Sequence, residues 1–167
     1  ILPHGMDKAM STPEHQLLRA WTSADLRGQV LELGFGSGLN VAFYPRAVSR
    51  VWVAEPSEVG MSLAAPRIAG RGIPVEQISL DGAALPLDDD SIDSALSSWT
   101  LCTIPDLQQS LAEVRRVLKP GGRFHFVEHG LSPDEDVACW QHRMNWAQRL
   151  YAGGCNLNRP IRTELVE

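Results

Sequence analysis

Two acids and three glycines have types and spacings that could do chemistry. In VLELGFGSGLN, residues 30–40, Glu32 lies in a short apolar run that leads into Gly34, Gly36 and Gly38. Alternating glycines at a strand-to-helix turn let the main chain approach a ligand where Cβ atoms would intrude, so the stretch predicts a nucleotide-cofactor cradle. Glu55 closes the next apolar run, Val51-Trp52-Val53-Ala54. It comes about twenty residues after the turn, where a carboxylate accepts hydrogen bonds from ribose hydroxyls. The motif is GxGxG, with Leu39 where the dinucleotide motif GxGxxG has glycine, and no GK[ST] follows to make a phosphate loop.

The elements that must hold these residues follow from periodicity and punctuation. Strands are expected at 29–33, 51–55, 75–79, 92–98 and 123–128. Thr12 caps an early helix, with Pro13 in its first turn and Leu17, Leu18 and Trp21 spaced for one face. A helix beginning near Leu39 should be stopped by Pro45, and one capped by Ser57 should be kinked or ended by Pro66. Leu107, Leu111, Val114 and Leu118 recur at helical spacing until Lys119-Pro120-Gly121-Gly122. Ser132-Pro133-Asp134-Glu135 reads as a capping box opening a long helix with Val137, Trp140, Met144, Ala147 and Leu150 on one side. Alternating strands and helices predict an α/β, Rossmann-like, doubly wound, mainly parallel sheet of about five strands. Ligands are then expected at the carboxyl ends of its strands.

Composition bounds the classes. With 167 residues, 44% of them hydrophobic, the chain is expected to form a single domain with a real core. Residues 1–27 would be an N-terminal helical segment and 28–159 the cofactor-binding core. No apolar run approaches the ~18 residues of a membrane helix. A net charge of −5 without a Lys/Arg block argues against a nucleic-acid surface. Cys102, Cys139 and Cys155 lack CxxC spacing, so neither a metal site nor a disulfide framework is expected, and a cytoplasmic setting fits.

VLELGFGSG, the acid of VAEPS, SLDGAALPLDDDSIDSALSSWTLCTIPD and LAEVRRVLKPGGRFHFVEHG together resemble class I S-adenosylmethionine-dependent methyltransferases over roughly residues 28–159. The resemblance is to the ubiquinone/menaquinone-biosynthesis type. SWTLCTIPD, VEHG and GGCNLNRP point to the branch that includes alkyl-thiol methyltransferases. It implies that Glu32 approaches the methionine end of the cofactor, that Gly34, Gly36 and Gly38 line its path, and that Glu55, beside Pro56, takes the ribose. It also implies that Asp81 contacts the adenine amino group with Gly82 beside it. Ser98 and Trp99 would sit near the sulfonium, and Trp99, His129, Asn156 and Arg159 near the substrate. The family often has histidine where this chain has Asn156. Two further strands follow the fifth in that fold, so a five-strand sheet with an exposed fifth-strand edge is expected, either shielded by another subunit or a sign of truncation.

The charges agree with this cofactor. Its sulfonium and ammonium suit a pocket holding Glu32, Glu55 and Asp81 better than a pyrophosphate would. The expected reaction is methyl transfer from S-adenosylmethionine, leaving S-adenosylhomocysteine, to a small, partly apolar thiol, phenol or quinone precursor. His129, just past the fifth strand, is the candidate base. Trp99, Leu101 and a helix bearing Trp140 and Trp146 suggest the apolar acceptor. Asp88-Asp89-Asp90 reads as a solvated face, Cys102 as core packing and His125 as a half-buried side chain. A nicotinamide-dependent oxidoreductase and a non-catalytic cofactor-binding module are the alternatives.

Overall fold

The computed structural model describes residues 2–79 and 82–165. Five strands, β1 (Gly28–Leu33), β2 (Val48–Ala54), β3 (Val75–Ser79), β4 (Ile92–Ser98) and β5 (Leu118–Val127), form one sheet ordered β3-β2-β1-β4-β5. All four pairings are parallel. The chain winds outward from β1 to β3, then returns to place β4 on the other side of β1. Strand order therefore reverses between β1 and β4, and a crevice opens at their carboxyl ends.

Both faces of β1 are buried, as a parallel sheet requires. Leu31 and Leu33 join Ala54, Ala95, Val114 and Val117 in one core cluster. Val30 faces the other way, into a cluster with Val51, Val53, Leu96, Tyr44 and Ala64. Alternation along the strand sends Glu32 to the same side as Val30. Around the sheet lie helices α1 (Leu2–Ala9), α2 (Pro13–Ser23), α3 (Glu58–Arg71), α4 (Leu107–Val117), α5 (Glu135–Tyr151) and α6 (Ile161–Glu164).

Several local expectations are corrected. After the glycine turn only a 3-10 turn forms, Val41–Phe43, because Pro45 leaves no length for an α-helix. Helix α3 instead runs through Pro66. Both Pro66 and Ser62, whose carbonyl loses its partner, are exposed, so water can take that carbonyl. The long helix is capped by Asp134, whose side chain accepts from Asp136 and Val137 N–H, while Ser132 Oγ accepts from Asp134 N–H. Lys119-Pro120-Gly121-Gly122 is absorbed into β5 as a register shift, with Ile92 opposite Leu118 and Ser94 opposite Arg123.

Thr12 caps α2 as expected, but the helix buries Arg19, Thr22 and Ser23 and leaves Leu17 and Trp21 exposed. The apolar side of α5 is likewise in solvent, and α5 has no buried residue. Among the described residues strand β5 pairs only with β4, and Phe126 on it is exposed. No helix among the described residues is long and apolar enough to cross a membrane.

Candidate cofactor and acceptor site

A cavity of about 330 Å³ occupies the crevice. One wall is the glycine turn, from Gly34 to Ser37; the next is Glu55, Pro56, Ser57 and Gly60; the third is Ser98, Trp99 and Thr100. Met6 and Asp7 of α1, Met10 just after it and Arg19 of α2 close the fourth side.

Gly34, Gly36 and Gly38 all have left-handed φ, at 70°, 54° and 74°. Their surroundings differ. A Cβ on Gly34 would lie 2.1 Å from Thr100 Oγ1, whereas one on Gly36 would meet nothing within 4 Å. Gly36 is thus where the bare main chain borders open space, and Gly34 is where two loops touch. Gly34→Ala is expected to cost more than Gly36→Ala, which bears only the ~1–2 kcal/mol of left-handed backbone. Urea unfolding of the two variants measures the difference.

Glu55 is buried and joins this turn to α3. Its Oε2 accepts from Gly36 N–H at 2.6 Å and its Oε1 from Ser57 N–H at 2.8 Å. Ser57 Oγ in turn accepts from Gly60 N–H, capping α3 at the cavity.

Glu32 does not line the cavity. It is fully buried behind it, with Oε1 accepting from Asn40 Nδ2 at 2.8 Å and Oε2 from the Tyr44 hydroxyl. Asn40 also donates to Ser98 Oγ at 3.1 Å and accepts from Arg19 Nη1 at 2.7 Å. Burial pushes the Glu32 carboxyl up to about 7, against the pull of Tyr44, Asn40 and the Arg19 charge. The only member of this network with a charged group in the cavity wall is Arg19, which lies 4.8 Å over the Trp99 ring.

Trp99 itself has φ 51°, strained backbone for a bulky residue, on the order of 1–3 kcal/mol, and of the kind found at functional sites. The loop it opens is clamped from behind. Glu128 Oε1 accepts from Thr100 N–H, Leu101 N–H and Ser97 Oγ. Arg159 Nη1 donates to the Leu101 and Ile104 carbonyls, and Asn156 Nδ2 to the Cys102 carbonyl at 2.9 Å. Asn156 and Arg159 therefore act on the loop's main chain and do not border the cavity.

His129 is half-buried and also outside the cavity lining. Its Nε2 lies 3.0 Å from Cys155 Sγ, and that contact raises its pKa. Cys102 completes the group. A hydrogen bond from Cys102, with His129 beside it, draws the Cys155 thiol below its ordinary range and pushes Cys102 above. Gly82 is buried with its Cα facing Leu33 and Ser110 rather than the cavity, and Asp81 lies outside the described residues. Two supports for an apolar acceptor fail: Leu101 is buried in the core, and Trp140 and Trp146 are exposed on α5.

Helix α1 is latched over the opening. Asp7 accepts from Ser37 Oγ and pairs with Arg67 at 3.0 Å, while Arg67 Nη1 also donates to the Ser37 carbonyl. Asp7→Asn is expected to release this helix, a change of about 1 kcal/mol for a half-exposed pair. Faster amide exchange over residues 4–10 with unchanged exchange in β1 is the expected readout.

Arg19, Asn40, Tyr44, Asp7 and Glu128 were not among the residues singled out from sequence. Only Tyr44 carried a local signal, an aromatic hydroxyl directly before the proline that stops the turn.

The geometry now meets what known proteins show. A family described as a methyltransferase domain matches residues 31–126. The chain is 31% identical over 143 residues to thiol S-methyltransferase TMT1B of Rattus norvegicus, covering 81% of this chain and 59% of that protein. It is 34% identical over 128 residues to demethylmenaquinone methyltransferase of Clavibacter sepedonicus, covering 74% and 52%. The fold matches the crystal structure of the YcgJ protein of Bacillus subtilis with TM-score 0.72 and 24% identity, over 90% of this chain and 65% of that one. The chain belongs to the methyltransferase-domain family and has the class I, S-adenosylmethionine-dependent fold. It spans between half and three-fifths of the length of these two curated relatives.

Proposed function

We propose that the chain binds S-adenosylmethionine in this cavity and transfers its methyl group to a small thiol, phenol or quinone-precursor acceptor. The carrying observation is the junction of Gly36 and Glu55. A main chain without Cβ borders open space there, beside a buried carboxylate already held in place by two N–H groups. A carboxylate so fixed is prepared for ribose hydroxyls, and Ser57 and Pro56 extend its wall. At the other end Arg19 is placed to take the cofactor's carboxylate, with Asn40 and Glu32 holding it from behind. Trp99 and Ser98 would flank the sulfonium, where the Trp99 ring face favours a cation. Asp81 is proposed at the adenine, next to Gly82.

In-line attack needs no covalent intermediate on the protein. Holding donor and acceptor in near-attack geometry supplies roughly 7–11 kcal/mol of such barriers. In this arrangement Asn156 and Arg159 position the Trp99 loop, while His129 rests on Cys155, and a base role for His129 would require its ring to leave Cys155. Relatives named as acting on a thiol and on demethylmenaquinone support a small-molecule acceptor rather than nucleic acid. We also place the chain in the cytoplasm, with a second copy along the open β5 edge.

Thermal shift and radiolabelled transfer test the reading. At a hundredfold excess over Kd, S-adenosylhomocysteine should stabilise the fold by about 2.7 kcal/mol and NADH should not. Label should pass to alkyl thiols, phenols or quinone precursors. Stabilisation by NADH alone, or transfer confined to nucleic acid or protein, would overturn it. A strictly monomeric active chain in sedimentation would remove the second copy.

A further inference from the structure

Behind the Trp99 loop, three soft donors converge from separate parts of the chain. Cys102 comes from the loop after β4, His129 from just past β5, and Cys155 from the turn after α5. Their ligand atoms all lie within 4.8 Å of one another, and both cysteines are buried. We propose that Cys102, His129 and Cys155 form a Cys2His site for a zinc ion, one that ties together the three loops behind the cavity.

The dimensions fit. Zn–S bonds near 2.3 Å and Zn–N bonds near 2.0–2.1 Å put tetrahedral ligand atoms roughly 3.5–3.8 Å apart. The widest pair need close by only about 1 Å, and the 3.0 Å pair of Cys155 Sγ and His129 Nε2 need open slightly. The main chain already holds the donors in place. Asn156 N–H and Nδ2 both donate to the Cys102 carbonyl, fixing the Cys155 turn against the Cys102 loop.

One surrounding feature fits a metal better than simple packing. Gln148 Nε2 donates to Cys155 Sγ at 3.7 Å, as an outer group does for a negatively charged sulfur. Binding would displace one proton from each thiol to solvent, while the imidazole gives a lone pair. A dication with two thiolates is neutral, which suits a buried site. Three protein ligands leave the fourth position to water or another small donor. The site stands whether or not the cavity transfers methyl groups.

Cobalt substitution tests the proposal on the reduced, chelator-treated full chain. One equivalent of Co²⁺ should give a sulfur-to-cobalt charge-transfer band in the near ultraviolet and tetrahedral bands in the visible, all removed by Zn²⁺. Cys102→Ser and Cys155→Ser should each weaken binding at least 100-fold, and His129→Gln at least tenfold. Cys139→Ser, at the exposed third cysteine, should leave it unchanged. Circular dichroism of each variant separates lost ligation from lost folding, and the wild-type spectrum needs no variant. Absence of the charge-transfer band, equal binding by Cys155→Ser, or a Cys102–Cys155 disulfide in place of metal uptake would overturn the site.

Discussion

Glu55→Ala is expected to lower affinity for S-adenosylhomocysteine roughly 100-fold or more, the largest loss of any single change at the cavity. Two effects add. The ligand would lose a charged acceptor, and Gly36 N–H and Ser57 N–H would lose the oxygens that hold the turn against α3. Hydrogen bonds to a charged group contribute about 1.5–3 kcal/mol each, so two suffice for a hundredfold change. Glu55→Gln keeps one acceptor oxygen and should lose about tenfold less. Isothermal titration checks both, with far-ultraviolet circular dichroism as the folding control. Unchanged affinity in Glu55→Ala would remove the cofactor from this wall.

The second large effect concerns Glu32 and pH. Its folded-state value of about 7 stands above the ordinary 4.5, so the folded state holds the proton more tightly than the unfolded chain. Stability from this group is fully present below about 4.5 and falls as pH rises through about 7, by on the order of 3 kcal/mol. Glu32→Gln should remove that slope. The difference between the two proteins is the useful quantity, because burial also raises Glu128. Urea midpoints from pH 4.5 to 8 measure it, and parallel curves would contradict the assignment.

Sequence legibility was uneven for physical reasons. Strands β3 and β4 were readable to the residue, since apolar runs bounded by turn residues leave little choice of ends. The glycine turn and Glu55 were legible for the same local reason. The Glu32 network was not, because it joins Arg19 of α2, Asn40 and Tyr44 across the sheet, and no spacing announces which face of an exposed-looking helix turns inward. On α2 the apolar residues misled: Trp21 is exposed and Arg19 buried, the reverse of a simple amphipathic reading. Asn156 and Arg159 were picked out by resemblance, yet only the folded geometry shows them gripping the loop behind Trp99.

That grip has an evolutionary consequence. Arg159, Asn156 and Glu128 hold the loop through carbonyls and N–H groups that every residue type supplies, apart from proline's missing N–H. The loop's shape therefore rests in large part on main-chain contacts, with Leu101 anchored in the core and the Thr100 and Thr103 hydroxyls bonded to nearby carbonyls. Thr103, which faces the cavity from that loop, can change at the cost of one hydrogen bond, from its hydroxyl to the Thr100 carbonyl, and Trp99 can change to residues that tolerate its positive φ. Acceptor preference could drift by substitution at position 103 while the glycine turn and Glu55 stay fixed, whereas a change at position 99 would also alter the ring that faces Arg19 and the sulfonium, which makes position 103 the natural first library for redirecting this chain to a new acceptor.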